Sequence, residues 1–315
     1  MGVHLALGPR RSYSRSVLTR TLLSIAILLP ALIWLAQITP ATPATPETAR
    51  GAAAPAAQDL PDEALAQLLE LLAGEGIRLD PKAGVVGVAA RVRVRRDLLE
   101  YVLVGPRGQS HESLFLTDAR PSLINTAMLA LGVEQGRNAR WVQPVTEGAR
   151  GGDEAASSRR AEILPPEGDG FLLYAAWRDG EESYLHRVDD LISHLGRGRS
   201  MKRHRWVYLG SGFRPAKEAG APPEYLADLH GDLVNLTFFR AGETLVTAAL
   251  PDCRDQTIWA PNAWLLPPED APVLFVFARE RLDRLPEAWE EALVDVAPFY
   301  AARDEAAARA AGEDG

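Results

Sequence analysis

The sequence predicts an α+β fold: one domain built on a largely antiparallel sheet with a few packed helices. Three observations lead there. Apolar runs of strand length outnumber helical ones, the turn signals "GPRG" and "DG" separate neighbouring runs, and no regular alternation of strand and helix marks a doubly wound sheet. A chain of 315 residues, 47% hydrophobic and 24% charged, is long enough to bury a sizeable core.

The first element is an export segment, read over residues 1–41. Arg10, Arg11, Arg15 and Arg20 precede "TLLSIAILLPALIWLAQI", an uncharged apolar run of about 18 residues, which fits either a cleaved signal peptide or an N-terminal membrane anchor. The positive flank places the N-terminus in the cytoplasm and the body outside it, in the periplasm or cell envelope. Pro30 weakens a straight spanning helix, and the small residues after the run would permit cleavage. Residues 42–60 are a Pro/Ala/Thr-rich linker that lacks the apolar side chains needed to order itself.

The domain is expected over 61–298. In "LPDEALAQLLELLAGEG", Leu65, Leu68, Leu69 and Leu72 recur at helical spacing before Gly74. "VVGVAARVRV" places Val86, Val88, Ala90, Val92 and Val94 on one side of a period-two strand with a half-exposed second face. "LLEYVLV" and "QSHESLFLT" read as an antiparallel hairpin over a type I turn, with Pro106 and Gly108 where that turn wants them. Pro121 opens a helix whose buried stripe is Ile124, Ala127, Met128 and Leu131, closed by Gly132. Residues 143–170 read as a surface insertion. Asp179-Gly180 centres a second hairpin. Later strands lie in "RWVYLGSGF", "YLADLHGDLVNLTFF", "ETLVTAAL" and "APVLFVFA", a last helix covers 282–293, and 299–315 is a disordered tail.

Several function classes fall away on composition. A net charge of −8 opposes nucleic-acid binding; "RGRSMKRHR" at 197–205 is the one basic run and reads as a solvated loop. Cys253, the only cysteine, excludes intramolecular disulfides, iron–sulfur clusters and cysteine zinc sites. No cofactor is predicted.

The candidate ligand-binding residues are His111 and Glu112. Successive strand residues point to opposite faces, so in a regular strand these two diverge and cannot chelate one metal ion. Leu114 and Leu116 then share a face with Glu112 and leave it at the core edge, where a carboxylate needs donors. The structural reading has Glu112 accept backbone amides near the helix after Pro121; the functional one puts His111 and Glu112 at the rim of a ligand pocket. His186, Asp190 and His194 would align as metal ligands on a helix, but 182–188 reads as a strand and breaks the alignment. "YLGSGF" reads as a tight turn without phosphate-loop or nucleophile-elbow spacing. Trp141, Trp177, Trp206, Trp259 and Trp264 read as core or rim aromatics.

Leu99-Glu100-Tyr101, a short turn, His111-Glu112-Ser113-Leu114 and an apolar helix ending at Leu131-Gly132 form a pattern that resembles the YdjY-domain family of bacterial envelope proteins; "WVYLGSGF" and "YLADLHGDLVNLTFF" are similar to its later segments. The likeness covers about 75–280 and implies location and fold more than activity. Some relatives are described as ferredoxin-like, which one cysteine cannot support. The resulting expectation is an exported, non-catalytic binding or structural module whose partner is an envelope protein or small ligand, with membrane contact through the N-terminal segment if it is retained. The alternative is a metal-dependent or hydrolytic enzyme using His111 and Glu112.

Overall fold

Val85–Val92, Gly170–Asp179 and Pro272–Ala278 are the longest strands, and their apolar residues run on for successive positions rather than alternating with polar ones. Such strands need cover on both faces. The computed structural model describes residues 56–142, 162–218 and 220–313, and in it both covers are present. The export segment, nearly all of the linker and residues 143–161 of the expected insertion lie outside the described residues.

Ten strands share one sheet: β1 (Ile77–Asp80), β2 (Val85–Val92), β3 (Tyr101–Val104), β4 (Ser113–Leu116), β5 (Gly170–Asp179), β6 (Glu182–Arg187), β7 (Trp206–Tyr208), β8 (Asp232–Asn235), β9 (Val246–Thr247) and β10 (Pro272–Ala278). Eight of them form a ring in the order β2, β10, β5, β7, β9, β8, β3, β4, which closes where Arg91 and Val92 pair with Leu116 and Phe115. β1 extends β2 on the same edge that β4 uses further along, and β6 folds back on β5. Only β3 with β4 and β8 with β9 are parallel. The fold is thus α+β with a mostly antiparallel sheet, and its closure into a barrel is a feature the sequence reading did not contain.

An eight-stranded barrel is just wide enough to be filled by side chains. Phe115, Phe171, Phe275 and Phe277 are fully buried in the main core and meet tilted or edge to face, with ring centroids 5.0 to 5.8 Å apart. The alternate residues Leu274, Val276 and Ala278, together with Val85, Tyr174 and Ala176, form a second layer under Leu285, Trp289 and Leu293. Gly87 makes room for it: a Cβ there would lie 2.8 Å from the Trp289 ring. The expected half-exposed face of β2 is therefore buried over its first four residues.

Helix α1 (Asp62–Gly74) lays Leu65, Leu68, Leu69 and Leu72 on the main core, and α2 (Pro121–Ala130) buries Ile124, Ala127 and Met128 before Gly132 turns left-handed at φ +68°. A short α3 (Leu226–His230) precedes β8.

Three expectations need correction. β3 and β4 are not an antiparallel hairpin. The turn itself is present, with Gly108 N donating to Gly105 O at 3.0 Å, but the chain then doubles back through a 3-10 turn at Ser110–Glu112 and enters β4 parallel to β3. So short a connection is uncommon between parallel neighbours. Close packing allows it: Gly105 N donates to Gly231 O at 2.7 Å, and a Cβ on Gly108 would come within 2.8 Å of that same oxygen. The helix expected over 282–293 is confined to α4 (Glu287–Glu291), because Pro286 sits at its N-cap and Leu282 and Leu285 pack outside it. Over residues 299–313 the expected tail is helical, within α5 (Ala297–Glu313); Phe299 and Tyr300 anchor it on the core, the Ala-rich stretch beyond favours helix, and 314–315 lie outside the described residues. Residues Pro55–Gly315 form one unit.

Candidate functional site

The hairpin of β5 and β6 turns at Gly180, whose φ of +61° suits the two-residue connection between Asp179 and Glu182. Beyond β6 the chain makes a 3-10 turn at Val188–Leu191 that places two adjacent aspartates in opposite surroundings. Asp189 is fully buried: its Oδ2 accepts from Arg187 Nε at 3.1 Å and Nη2 at 2.8 Å, and its Oδ1 from His204 N at 3.1 Å, with His204 Nδ1 at 2.8 Å. Asp190 faces outward and takes Arg203 in a bidentate pair, Nε to Oδ1 at 3.0 Å and Nη2 to Oδ2 at 2.6 Å.

Arg187, Asp190 and Arg203 form one wall of an open cleft of about 420 Å³, completed by Tyr174, Leu185, His186 and the segment Arg281–Asp283. The Arg187 guanidinium lies over the Tyr174 ring, 5.4 Å from its centroid, and the Tyr174 hydroxyl accepts from Leu282 N at 2.9 Å. His186 is half-buried and stacked on Trp177 with centroids 5.2 Å apart. Burial lowers its pKa below the ordinary value, favouring the neutral imidazole, with the Asp190 charge working the other way.

No family model, curated protein or solved structure matches this chain. The site therefore stands on its own geometry.

His111 and Glu112, the residues singled out from sequence, lie elsewhere. They belong to the 3-10 turn before β4, so the opposite-face argument does not apply to them: His111 Nε2 comes within 3.7 Å of Glu112 Oε1, with side chains 70% and 39% exposed. Among the described residues no amide donates to the Glu112 carboxylate, and neither residue lines the cleft. Glu112→Gln is accordingly expected to change stability by no more than about 0.5 kcal/mol in chemical denaturation. A drop in midpoint matching the loss of several kcal/mol would restore the anchoring role.

His186, Asp190 and His194 do not converge. His186 and Asp190 reach the cleft, whereas His194 packs against Trp259 and approaches Asp252 at 3.8 Å. Among the described residues no three His, Cys, Asp or Glu side chains are grouped to hold a metal ion. Ser211 sits at φ +57°, and its hydroxyl donates to Glu243 O at 2.6 Å and accepts from Ala227 N at 3.1 Å, so the "GSG" turn is pinned and that oxygen is committed. Trp177, Trp206 and Trp259 are core, while Trp264 stands 97% exposed.

Sequence reasoning missed Arg187, Arg203 and Arg281. One signal was present: Arg203 lies in the basic run read as a solvated loop, and the adjacent aspartates upstream hold that run in place, Asp190 through Arg203 and the buried Asp189 through His204.

Asp232, which opens β8 opposite Val104 of β3, has a carboxyl pushed up to about 6, chiefly by burial, with His230 opposing and Glu243 adding to the effect. One of its oxygens is buried without a partner among the described residues. Between pH about 4 and 6 the folded chain holds a proton that the unfolded chain has released, so the stabilisation from this proton is complete below about pH 4 and is lost as pH rises through 6. Asp232→Asn is expected to raise Tm at pH 7 by a few degrees, about 1–2 kcal/mol after allowing for solvent screening, and to leave it unchanged at pH 4. Paired melts at the two pH values check this.

Proposed function

We propose that this chain is an exported, non-catalytic binding module of the bacterial cell envelope, of the YdjY-domain kind, and that the cleft beside the β5 and β6 hairpin is where it takes a ligand. The observation that carries the reading is the clamping of Arg187 and Arg203 by the adjacent carboxylates Asp189 and Asp190. A guanidinium stays protonated throughout the range in which proteins fold, so it cannot pass protons to a substrate; held in a fixed orientation, it binds and orients. Fixed polar groups converging on a concave surface suit ligand recognition. Export is supported by the four arginines ahead of the apolar N-terminal run, and a single cysteine suits a compartment where free thiols oxidise.

The test is a ligand-observed NMR screen of small polar compounds of mixed charge against the full chain, repeated on Leu185→Trp, which fills the cleft wall. Binding that disappears in the filled variant supports the module, and a screen with no cleft-dependent binder overturns it. A hydrolytic role for His111 and Glu112 has one observation in its favour, the 3.7 Å approach of their side chains. It requires turnover that either substitution abolishes while cleft binding persists.

A further inference from the structure

The cleft holds more hydrogen-bond donors than acceptors. Arg187 uses Nε and Nη2 on Asp189 and gives a further bond from Nη2 to the His204 carbonyl at 2.8 Å. Arg203 uses the same Nε–Nη2 edge on Asp190 and engages both carboxylate oxygens. Arg281 turns Nε toward Asp283 Oδ1 at 3.3 Å and is otherwise open to water, 81% exposed. Among the described residues, no acceptor is hydrogen-bonded to Nη1 of any of the three. The Tyr174 hydroxyl already accepts from Leu282 N, which leaves its own proton to give. Against these donors, Asp189 and Asp190 are occupied, and Asp283 stands at the rim, 85% exposed.

We propose that the cleft binds a small oxyanion, a phosphate monoester or a carboxylate, through Arg187, Arg203, Arg281 and Tyr174; this rests on the reading of the cleft as a ligand site. Hydrogen bonds from guanidinium to an anionic oxygen are short and strong, and several N–H groups around one group of oxygens match the fork geometry of either anion. Arg187 and Arg203 need not be ordered when the ligand arrives, because their aspartates, and for Arg187 the Tyr174 ring, already fix them. Arg281 would complete the site from the exposed rim.

Isothermal titration of the full chain with phenyl phosphate, benzoate and neutral benzyl alcohol tests this. The expected result is one site for an anion, weakened about tenfold or more in Arg281→Gln, whose exposed position makes misfolding an unsuitable explanation. Tyr174→Phe is expected to weaken it by about threefold to tenfold. Tighter phenyl phosphate assigns a phosphate monoester, and tighter benzoate a carboxylate. Cleft binding of benzyl alcohol with neither anion overturns the oxyanion proposal and leaves the binding module standing. Unchanged anion affinity in Arg281→Gln overturns the proposal as well, and binding by none of the three overturns the oxyanion proposal while the wider screen against Leu185→Trp decides the module.

Discussion

Gly170→Ala is expected to keep the barrel from closing, with a loss of more than about 4 kcal/mol or no recoverable folded protein. Gly170 opens β5 and pairs with Val207 of β7, and a Cβ at this position would collide with the Trp206 carbonyl oxygen and sit 3.0 Å from Val207 Cα. Both obstacles are backbone. No rotamer change relieves them, unlike the clash a Cβ on Gly87 would make with a tryptophan side chain. The Gly170 carbonyl is also a junction, accepting from Arg205 Nη1 at 3.0 Å and Arg279 Nη1 at 3.2 Å, so displacing the strand start frees two guanidinium donors. Gly74→Ala is the matched control. It lies at the end of α1 with no heavy atom within 4 Å of the new methyl, and is expected to leave stability unchanged or slightly higher. Urea titrations of the two variants against the parent chain decide the matter; comparable midpoints for both would show that the β5 and β7 junction tolerates a side chain.

Asp189→Ala is expected to cost about 3–5 kcal/mol. Asp189 is fully buried and its partners are nearly so, with the Arg187 and His204 side chains 13% and 9% exposed. Removing the carboxylate leaves a guanidinium in the interior with a carbonyl as its remaining hydrogen-bond partner and strips the His204 amide of its acceptor. Most of the expected loss is that stranded charge rather than the worth of the ion pair, so a companion change should recover it. Arg187→Met combined with Asp189→Leu is expected to return most of the stability lost by Asp189→Ala, because well-packed apolar groups replace buried pairs at little cost. The same double variant should bind oxyanions poorly, since it removes Arg187 from the cleft wall. A double variant as unstable as Asp189→Ala would show that the network matters for shape rather than charge.

Local features were legible in the sequence because a few neighbouring residues determine them. Pro121 and Gly132 delimit α2, Asp179-Gly180 turns the β5 and β6 hairpin, and the leucines of α1 mark its buried stripe. What failed depended on distant partners. The turn "GPRG" has the same local chemistry whether the next strand returns antiparallel or, after a second reversal against Gly231, runs parallel; nothing within 99–117 reveals Gly231. His111 and Glu112 were judged by strand geometry, and the 3-10 turn at Ser110–Glu112 removed that premise. The cleft was illegible for the same reason. Arg203 and Asp190, or Tyr174 and Leu282, meet only once the barrel has brought residues 174, 187, 203 and 281 to one wall.

The ring also imposes an order on synthesis. β2 lies near the start of the folded body and its longest seam is with β10, where Val88 faces Phe275 and Arg91 faces Pro272. A ribosome must therefore make residues through Ala278 before the second strand of the protein finds its main neighbour, and until then the emerging polypeptide carries an apolar ribbon with one flank unmated. Closure of the β2 and β10 seam is therefore expected to come late in folding, since it joins residues nearly two hundred apart.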